Sequence, residues 1–510
     1  MTALLDGIGY ESWILHALIW LPLVGMGVVL AAPAERAKHV AFWWSAVVFA
    51  LSLGLWWAFE VAPGMQMTSS VPWIPGWGVS YAVGLDGISL FMVLLTTFTT
   101  SVAILGSFNY VRKQEKGFYA LMLLLETGIL GVFLALDLFL FYVFFELTLV
   151  PMYFIVGVWG GERRIYAAVK FFLYTAFGSL LMLVAILYLY FRAGLGSFAF
   201  AELLQVELTL VEQLWLFAAF ALAFAIKVPV FPLHTWLPDA HVEAPTPGSV
   251  MLAAVLLKMG TYGFVRFLLP LFPDAAQHPT VVGLMLLLGV IGILYAALVA
   301  AVQPDAKKLV AYTSVAHMGF VVIGIFALTV NGIQGALLVM ISHGITTGAL
   351  FLLLGMLYER RHTRLIEDFG GIAAVAPWLA TAFVITALAS IGLPGTSGFV
   401  GEFLVLLGTF ETHPWTAGIA ALGVIFAAYY MLPMVQRMFF NRIEREENRG
   451  MPDLSRRELV ILVPMVVLMI WIGVQPAPFL RRMEPSVQVL LESVTERPAV
   501  SAAAAVQVGD

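Results

Sequence analysis

The sequence predicts an all-α integral membrane protein with about fourteen transmembrane helices, and two observations support this fold class. Of the 510 residues, 61% are hydrophobic and only 11% are charged, whereas a soluble domain of average composition carries roughly 25% charged residues. The apolar residues also occur in runs of about twenty, the length that a helix needs to cross the hydrocarbon core of a bilayer. Lipid is therefore the solvent that suits most of this chain.

Proline interrupts two of the predicted spans. One run approaches its end at Pro229, and another contains Leu393-Pro394-Gly395 and is long for one straight helix. Because proline lacks the amide N–H that continues a helix, we expect a broken helix at each place. The predicted spans are 13–31, 39–60, 86–107, 117–136, 138–158, 167–191, 210–231, 247–269, 281–302, 308–329, 333–357, 374–408, 415–439 and 458–475.

The basic residues predict the orientation of the chain. If the N-terminus lies outside and the loops alternate, most Lys and Arg residues fall in inside loops, as the positive-inside rule requires. We therefore expect a multi-pass protein of the inner, energy-transducing cell membrane, with both termini on the outer side. Ala32-Pro33-Ala34 resembles a signal-peptide cleavage site, but no Lys or Arg precedes Arg36, so we expect the first span to be retained.

Spans four to eight and nine to thirteen form two comparable units, each with a broken helix as its fourth member. A unit with an odd number of spans inserts in the opposite orientation to its neighbour, so the sequence predicts two inverted five-helix repeats, as in many transporters. The predicted domains are 1–110 (spans one to three), 111–270 (first repeat), 281–440 (second repeat) and 441–510 (last span and outer-side tail). The Ala-rich stretch 501–505 is expected to be disordered.

Four ionisable residues lie deep in the predicted spans: Glu146, Lys227 before the Pro229 break, Lys258, and Glu402 after the second break. A charge at the bilayer centre costs about 2.5–3.5 kcal/mol on insertion scales, so each residue is a candidate functional site. Simpler interpretations stay open. Each carboxyl group could form a hydrogen bond with a neighbouring helix, and the Lys227 side chain could extend to the membrane interface.

Three histidines at or near membrane depth, His234, His317 and His343, could relay protons near neutral pH or make ordinary polar contacts between helices. Glu126 is as consistent with a structural hydrogen bond as with a role in proton transfer. Lys170 is interpreted as an anchor near the membrane interface. Acids, lysines and histidines together favour a proton wire, because burial and neighbouring charges set their proton affinities.

The composition also excludes some chemistry within this chain. It contains no cysteine, so it forms no disulfide, thiolate-bound iron–sulfur cluster or thiol nucleophile. The interleaved lysines argue against a sodium site, and no glycine-rich strand–helix loop suggests a nucleotide. His241, in the loop after the seventh span, is expected to be solvated.

Several motifs around the buried charges resemble the antiporter-like membrane subunits of respiratory complex I, which are related to Mrp-type cation/proton antiporters. The resemblance covers roughly residues 80–475. The motifs are FFEL at 144–147, PM at 151–152, IKVP at 226–229, PLHTWLPDAH at 232–241, APTPGSV at 244–250, LVAYTSVAHMG at 309–319, GLPG at 392–395 and GEF at 401–403.

This resemblance implies a fold of fourteen helices with two inverted five-helix repeats, and a role for each charge. Glu146 and Lys227 would form the pair that senses the neighbouring subunit, Lys258 would be the central relay, and Glu402 the exit-side group. The three histidines, His234, His317 and His343, would lie along the wire.

One member of the family resembles this chain most closely, because its sibling subunits place lysine where this chain has Glu402. The largest sibling also carries a long lateral helix after its core, whereas this chain continues for only about 35 residues after the last span. We therefore expect no such lateral helix here.

The resemblance implies a proton-translocating subunit in the membrane arm of an NADH:quinone oxidoreductase, without redox chemistry or cofactors of its own. Partner subunits would carry FMN and iron–sulfur clusters and bind quinone. Its partners would be the other membrane-arm subunits, including the sibling antiporter-like ones, and the lipid bilayer, but no nucleic acid and no metal.

Three alternatives remain at this stage. The chain could belong to an Mrp-type cation/proton antiporter, a standalone antiporter or another complex I-like membrane complex. It could be a membrane cytochrome with His317 and His343 as haem ligands, or a structural scaffold that has lost its relay.

Overall fold

A computed structural model describes residues 2–495 of the chain, and it confirms the all-α membrane fold. Thirteen of its helices are long and apolar enough to cross a membrane. They are Tyr10–Ala31, Ala34–Ala58, Gly87–Gly106, Glu115–Leu134, Leu138–Trp159, Arg164–Ala193, Leu210–Lys227, Thr246–Leu271, Pro279–Ala301, Ala306–Phe326, Val330–Arg361, Pro414–Phe440 and Arg456–Val474. The stretch 501–505, expected to be disordered, lies outside the described residues.

Both predicted breaks are confirmed. The helix Leu210–Lys227 ends just before Pro229, and the chain resumes helical structure at Trp236–Glu243. The predicted span 374–408 is two helices, Pro377–Ser390 and Ser397–Thr412, joined through Gly392 and Gly395, whose φ angles of 77° and 89° favour glycine. Neither half is long enough to count alone as a span, so the total of fourteen stays a prediction.

The helix Thr246–Leu271 contains a feature that the sequence analysis did not predict. Two segments, Leu252–Leu256 and Phe264–Leu268, are π-helical. A π-helical turn shifts the backbone hydrogen bonds by one residue and is frequent at functional sites. This helix and Val330–Arg361 are the two most enclosed spans, so they form the centre of the bundle.

A β-hairpin connects the second and third spans, where the sequence analysis placed no strand. Its strands Gln66–Ile74 and Val79–Leu85 pair antiparallel. The carboxylate of Asp86 then accepts the N–H groups of Ile88 and Ser89 at the start of the next helix. Asp86 also forms a buried ion pair with Arg266, which ties this end of the hairpin to the central helix.

Shorter helices complete the described structure. The region after the last span, predicted only as a tail, contains the helix Ala477–Thr495, where the Ser486 hydroxyl accepts the Gly87 N–H at 3.0 Å. The other short α-helices are Thr2–Gly7, Phe200–Leu203, Pro273–Gln277, Ile372–Val375 and Glu446–Arg449.

Four of the connections assigned to the inside meet at one end of the bundle. A pocket of about 240 Å³ there is lined by Tyr110, Glu243, Lys307 and Arg364, which come from four different connections. This clustering agrees with the predicted alternation of the loops. The side of the membrane that this end faces, the inverted relation of the repeats and the domain limits stay predictions.

Candidate functional site

Lys258 lies at the centre of the bundle and is completely buried. Its Nζ is 2.7 Å from Nδ1 of His343 and also donates to the backbone carbonyl of Ala253. Ala253 belongs to the first π-helical segment, which places its carbonyl one turn before the ammonium group. The buried amine is therefore hydrogen-bonded on two sides, as a buried polar group requires.

The path continues from His343 to the second broken helix. The rings of His343 and His317 meet edge to face with centroids 5.6 Å apart. Nδ1 of His317 is 2.8 Å from Oε1 of Glu402, and its Nε2 is 3.5 Å from the hydroxyl of Ser390. Glu402 lies in the second turn of Ser397–Thr412, near the positive end of that helix dipole.

A small cavity lies between these side chains. His317, Ser342, His343, Ser390 and Glu402 are among the residues that line its volume of about 10 Å³, close to what one water molecule needs, roughly 10–15 Å³. Nε2 of His343 has no hydrogen-bond partner among the described residues, so a water in this cavity could complete the path. The cavity is too small to hold a haem between His317 and His343.

Lys227 stands in a different environment at the first break. Its side chain is 1% exposed, and its Nζ has no hydrogen-bond partner within residues 2–495. The ammonium instead lies over the rings of Phe145 and Phe171, 5.1 and 5.6 Å from their centroids. Such cation–π contacts compensate part of the lost hydration.

Glu146, in the last turn of Leu138–Leu147, is only half-buried. One of its carboxylate oxygens has no hydrogen-bond partner in the described part of the chain. No ion pair within 4.0 Å joins it to Lys227 there, although the two charges interact through space. The two groups implied as a pair are therefore near each other without touching.

The other candidates lie off this path. His234 is buried and stacks on Phe231, and within residues 2–495 it contacts neither Lys258 nor Lys227. Glu126 is fully buried, yet neither of its oxygens has a hydrogen-bond partner among the residues described. Lys170 pairs with Asp239 at 2.8 Å.

His241 is the residue that the sequence analysis misjudged, because the expectation that it is solvated is wrong. Its side chain is completely buried and stacks on Phe351 with centroids 4.6 Å apart. Both ring nitrogens lack a hydrogen-bond partner within the described range. Trp236, Leu237 and Ala240 form the buried face of the same short helix, and this apolar spacing was the available signal.

The chain is similar to known membrane proteins. A sequence profile of the family described as NADH:quinone oxidoreductase/Mrp antiporter, transmembrane, matches residues 135–427, which include Glu146, Lys227, Lys258 and Glu402.

The full-length relatives carry related names. NADH-quinone oxidoreductase subunit M of Rhodobacter capsulatus is 46% identical over 94% of this chain and 96% of its own length. NADH-ubiquinone oxidoreductase chain 4 of Marchantia polymorpha is 44% identical over 94% of this chain and 97% of its own length.

Two solved structures share the fold. A chain of respiratory complex I from Thermus thermophilus with bound NADH superposes with a TM-score of 0.87 at 36% identity, over 94% of this chain and 99% of that chain. A chain of the Mrp complex from Dietzia sp. gives a TM-score of 0.82 at 20% identity, over 95% and 98% of the two chains, which shows a common fold alone.

Proposed function

Because this chain belongs to the family of NADH:quinone oxidoreductase/Mrp antiporter membrane subunits, we propose that it moves protons as the subunit M, or chain 4, component of an NADH:quinone oxidoreductase. The observation that carries the proposal is the path Lys258–His343–His317–Glu402. Two of its three links are hydrogen-bonded contacts of 2.7 and 2.8 Å, and the cavity between the histidines spans the third.

Proton transfer along this path uses groups that both donate and accept. The Lys258 ammonium donates to Nδ1 of His343, and Nε2 of His343 then releases a proton to water in the cavity. His317 takes up that proton at Nε2 and passes the one on Nδ1 to the Glu402 carboxylate. A histidine between two such partners suits this exchange, because each ring nitrogen can carry the proton.

Energy from the redox reaction would enter at Glu146 and Lys227. Lys227 has no hydrogen-bond partner among the described residues, and the negative charge of Glu146 acts on it through space. If a neighbouring subunit draws that charge away, Lys227 releases its proton toward Lys258. The helix Leu210–Lys227 and the helix Thr246–Leu271, which carries Lys258, approach closely at Gly260. A Cβ added to Gly260 would lie 2.8 Å from the Phe224 carbonyl oxygen.

The energy that this coupling needs corresponds to a moderate change in pKa. Moving one charge against 100 mV takes about 2.3 kcal/mol, and a pKa change of one unit corresponds to about 1.4 kcal/mol. Changes of roughly two units in proton affinity per step are therefore sufficient. FMN, iron–sulfur clusters and quinone would belong to partner subunits, within an inner, energy-transducing membrane and with both termini of this chain on the outer side.

An Mrp-type antiporter subunit is the alternative function. The Dietzia structure supports only its fold, and the full-length relatives cited above are NADH oxidoreductase subunits. Purification of the chain from its native membrane distinguishes the two, since redox subunits should co-purify with it under our proposal.

The test compares two carboxyl residues on one helix. Glu402→Gln removes the acid that ends the path, whereas Glu411→Gln changes an exposed residue that accepts from Asn331 at 2.7 Å. In membrane vesicles with the complex assembled, we expect NADH-driven proton pumping to fall at least about tenfold in Glu402→Gln only. Normal pumping in Glu402→Gln would refute the proposed exit.

A further inference from the structure

An apolar groove runs along the outer surface of the bundle, between the first two transmembrane helices. Tyr10–Ala31 and Ala34–Ala58 are among the least enclosed spans, so this surface faces the membrane in the chain itself. The groove has a volume of about 570 Å³. Its lining residues are Leu21, Val28, Arg36, His39, Val40, Trp43, Trp44, Val47 and Val48.

Trp44 forms part of the groove wall and packs on Gly25. The Trp44 ring rests on Gly25, where an added Cβ would lie 2.3 Å from a ring carbon. The indole N–H donates to the Leu21 carbonyl at 2.6 Å, so its only polar atom is satisfied. Trp43, which is 67% exposed, also lines the groove.

One end of the groove is cationic. Arg36 and His39 line it and are both exposed. His39 packs edge to face on Phe108, and Nζ of the neighbouring Lys38 lies 5.6 Å from the centroid of that same ring. Glu35 is the one acid within this turn, so positive charge predominates.

The backbone adds to this positive character. The span Ala34–Ala58 begins here, and no side chain caps its first turn. The N-terminus of a helix carries partial positive charge and unpaired N–H groups, which favour an anion such as phosphate.

We propose that this groove binds an anionic phospholipid, with an acyl chain along Trp44 and the valines and the phosphate beside Arg36 and His39. Basic pockets between transmembrane helices at the inner side suit such headgroups. A helix of another subunit fits less well, because helix contacts in membranes favour small residues, whereas these walls carry two tryptophans and several valines.

Trp43 provides a direct reporter of the bound lipid. The assembled complex is placed in phosphatidylcholine nanodiscs that contain increasing fractions of dibrominated phosphatidylglycerol or dibrominated phosphatidylcholine. The Trp43 signal is the fluorescence of the parent minus that of Trp43→Phe. We expect phosphatidylglycerol to quench it at a mole fraction about fivefold lower, and high salt to reduce this preference.

The double variant Arg36→Gln/His39→Gln tests the cationic end, and Arg437→Gln is the matched control, since Arg437 is also exposed at the end of a span. We expect the double variant to lose the preference and the control to keep it. Equal quenching by both lipids in the parent would overturn the proposal, because the groove would then hold bulk lipid only. Absence of quenching by either lipid would overturn it too, because a protein would then cover the groove.

Discussion

The two broken helices hold their buried charges in opposite ways. At the first break, Lys227 has aromatic rings beside it and no hydrogen-bond partner among the described residues. At the second, Glu402 contacts His317 at 2.8 Å and so joins a path that leads back to Lys258. Similar breaks in the chain thus create two electrostatic environments. The buried charge has no hydrogen-bond partner at the first break and has one at the second.

This difference suggests a division of labour between the two regions. An unpaired buried charge is costly and responds strongly to any charge that moves nearby. A paired acid inside a chain of proton carriers is better suited to transfer than to sensing. The first region is therefore the expected point of energy input, and the second the expected route of the proton.

The largest effect is expected at Lys258, where the path to Glu402 begins. Lys258→Met removes both the contact to His343 and the bond to the Ala253 carbonyl. NADH-driven proton pumping in vesicles should fall by about 10²-fold, the scale of one lost proton-transfer group. Lys308→Met, at the start of the helix Ala306–Phe326, is the control, and equal losses in both variants would argue for general damage.

A second variant tests whether Lys227 is retained for function at the expense of stability. Lys227→Met removes an unpaired buried ammonium, so we expect the free energy of unfolding to rise by about 1–3 kcal/mol while pumping falls. Thermal unfolding of the purified complex and pumping in vesicles measure the two effects.

Lys170→Met is the matched control for this test, because Lys170 pairs with Asp239 at 2.8 Å. Its removal should leave stability unchanged or lower it by up to about 1 kcal/mol. If Lys227→Met destabilises the protein instead, Lys227 has a partner that stabilises it, and the contrast between the two regions is lost.

The smallest effect is expected at His234. It stacks on Phe231 and lies off the path, so His234→Asn should change pumping by less than about twofold. His343→Asn, at the centre of the path, should reduce pumping at least about tenfold. A large loss in His234→Asn would mean that the proton route passes through His234.

Local sequence determined much of this protein. Twenty-residue apolar runs predicted the spans, because helix length and bilayer thickness are matched. Pro229 and Leu393-Pro394-Gly395 predicted the breaks, because proline lacks the backbone N–H that would continue the helix. Glu146, Lys227, Lys258 and Glu402 were visible as candidates, because a charge within an apolar run is rare.

Only the tertiary structure decided which of these residues meet. Lys258 and His343 are 85 residues apart in the chain, as are His317 and Glu402, and no local pattern encodes such contacts. The two π-helical segments and the burial of His241 likewise follow from packing against other helices. Composition and periodicity indicate whether a segment lies in lipid or in water. The proton path depends instead on distances between side chains, and only the packing of the helices sets those distances.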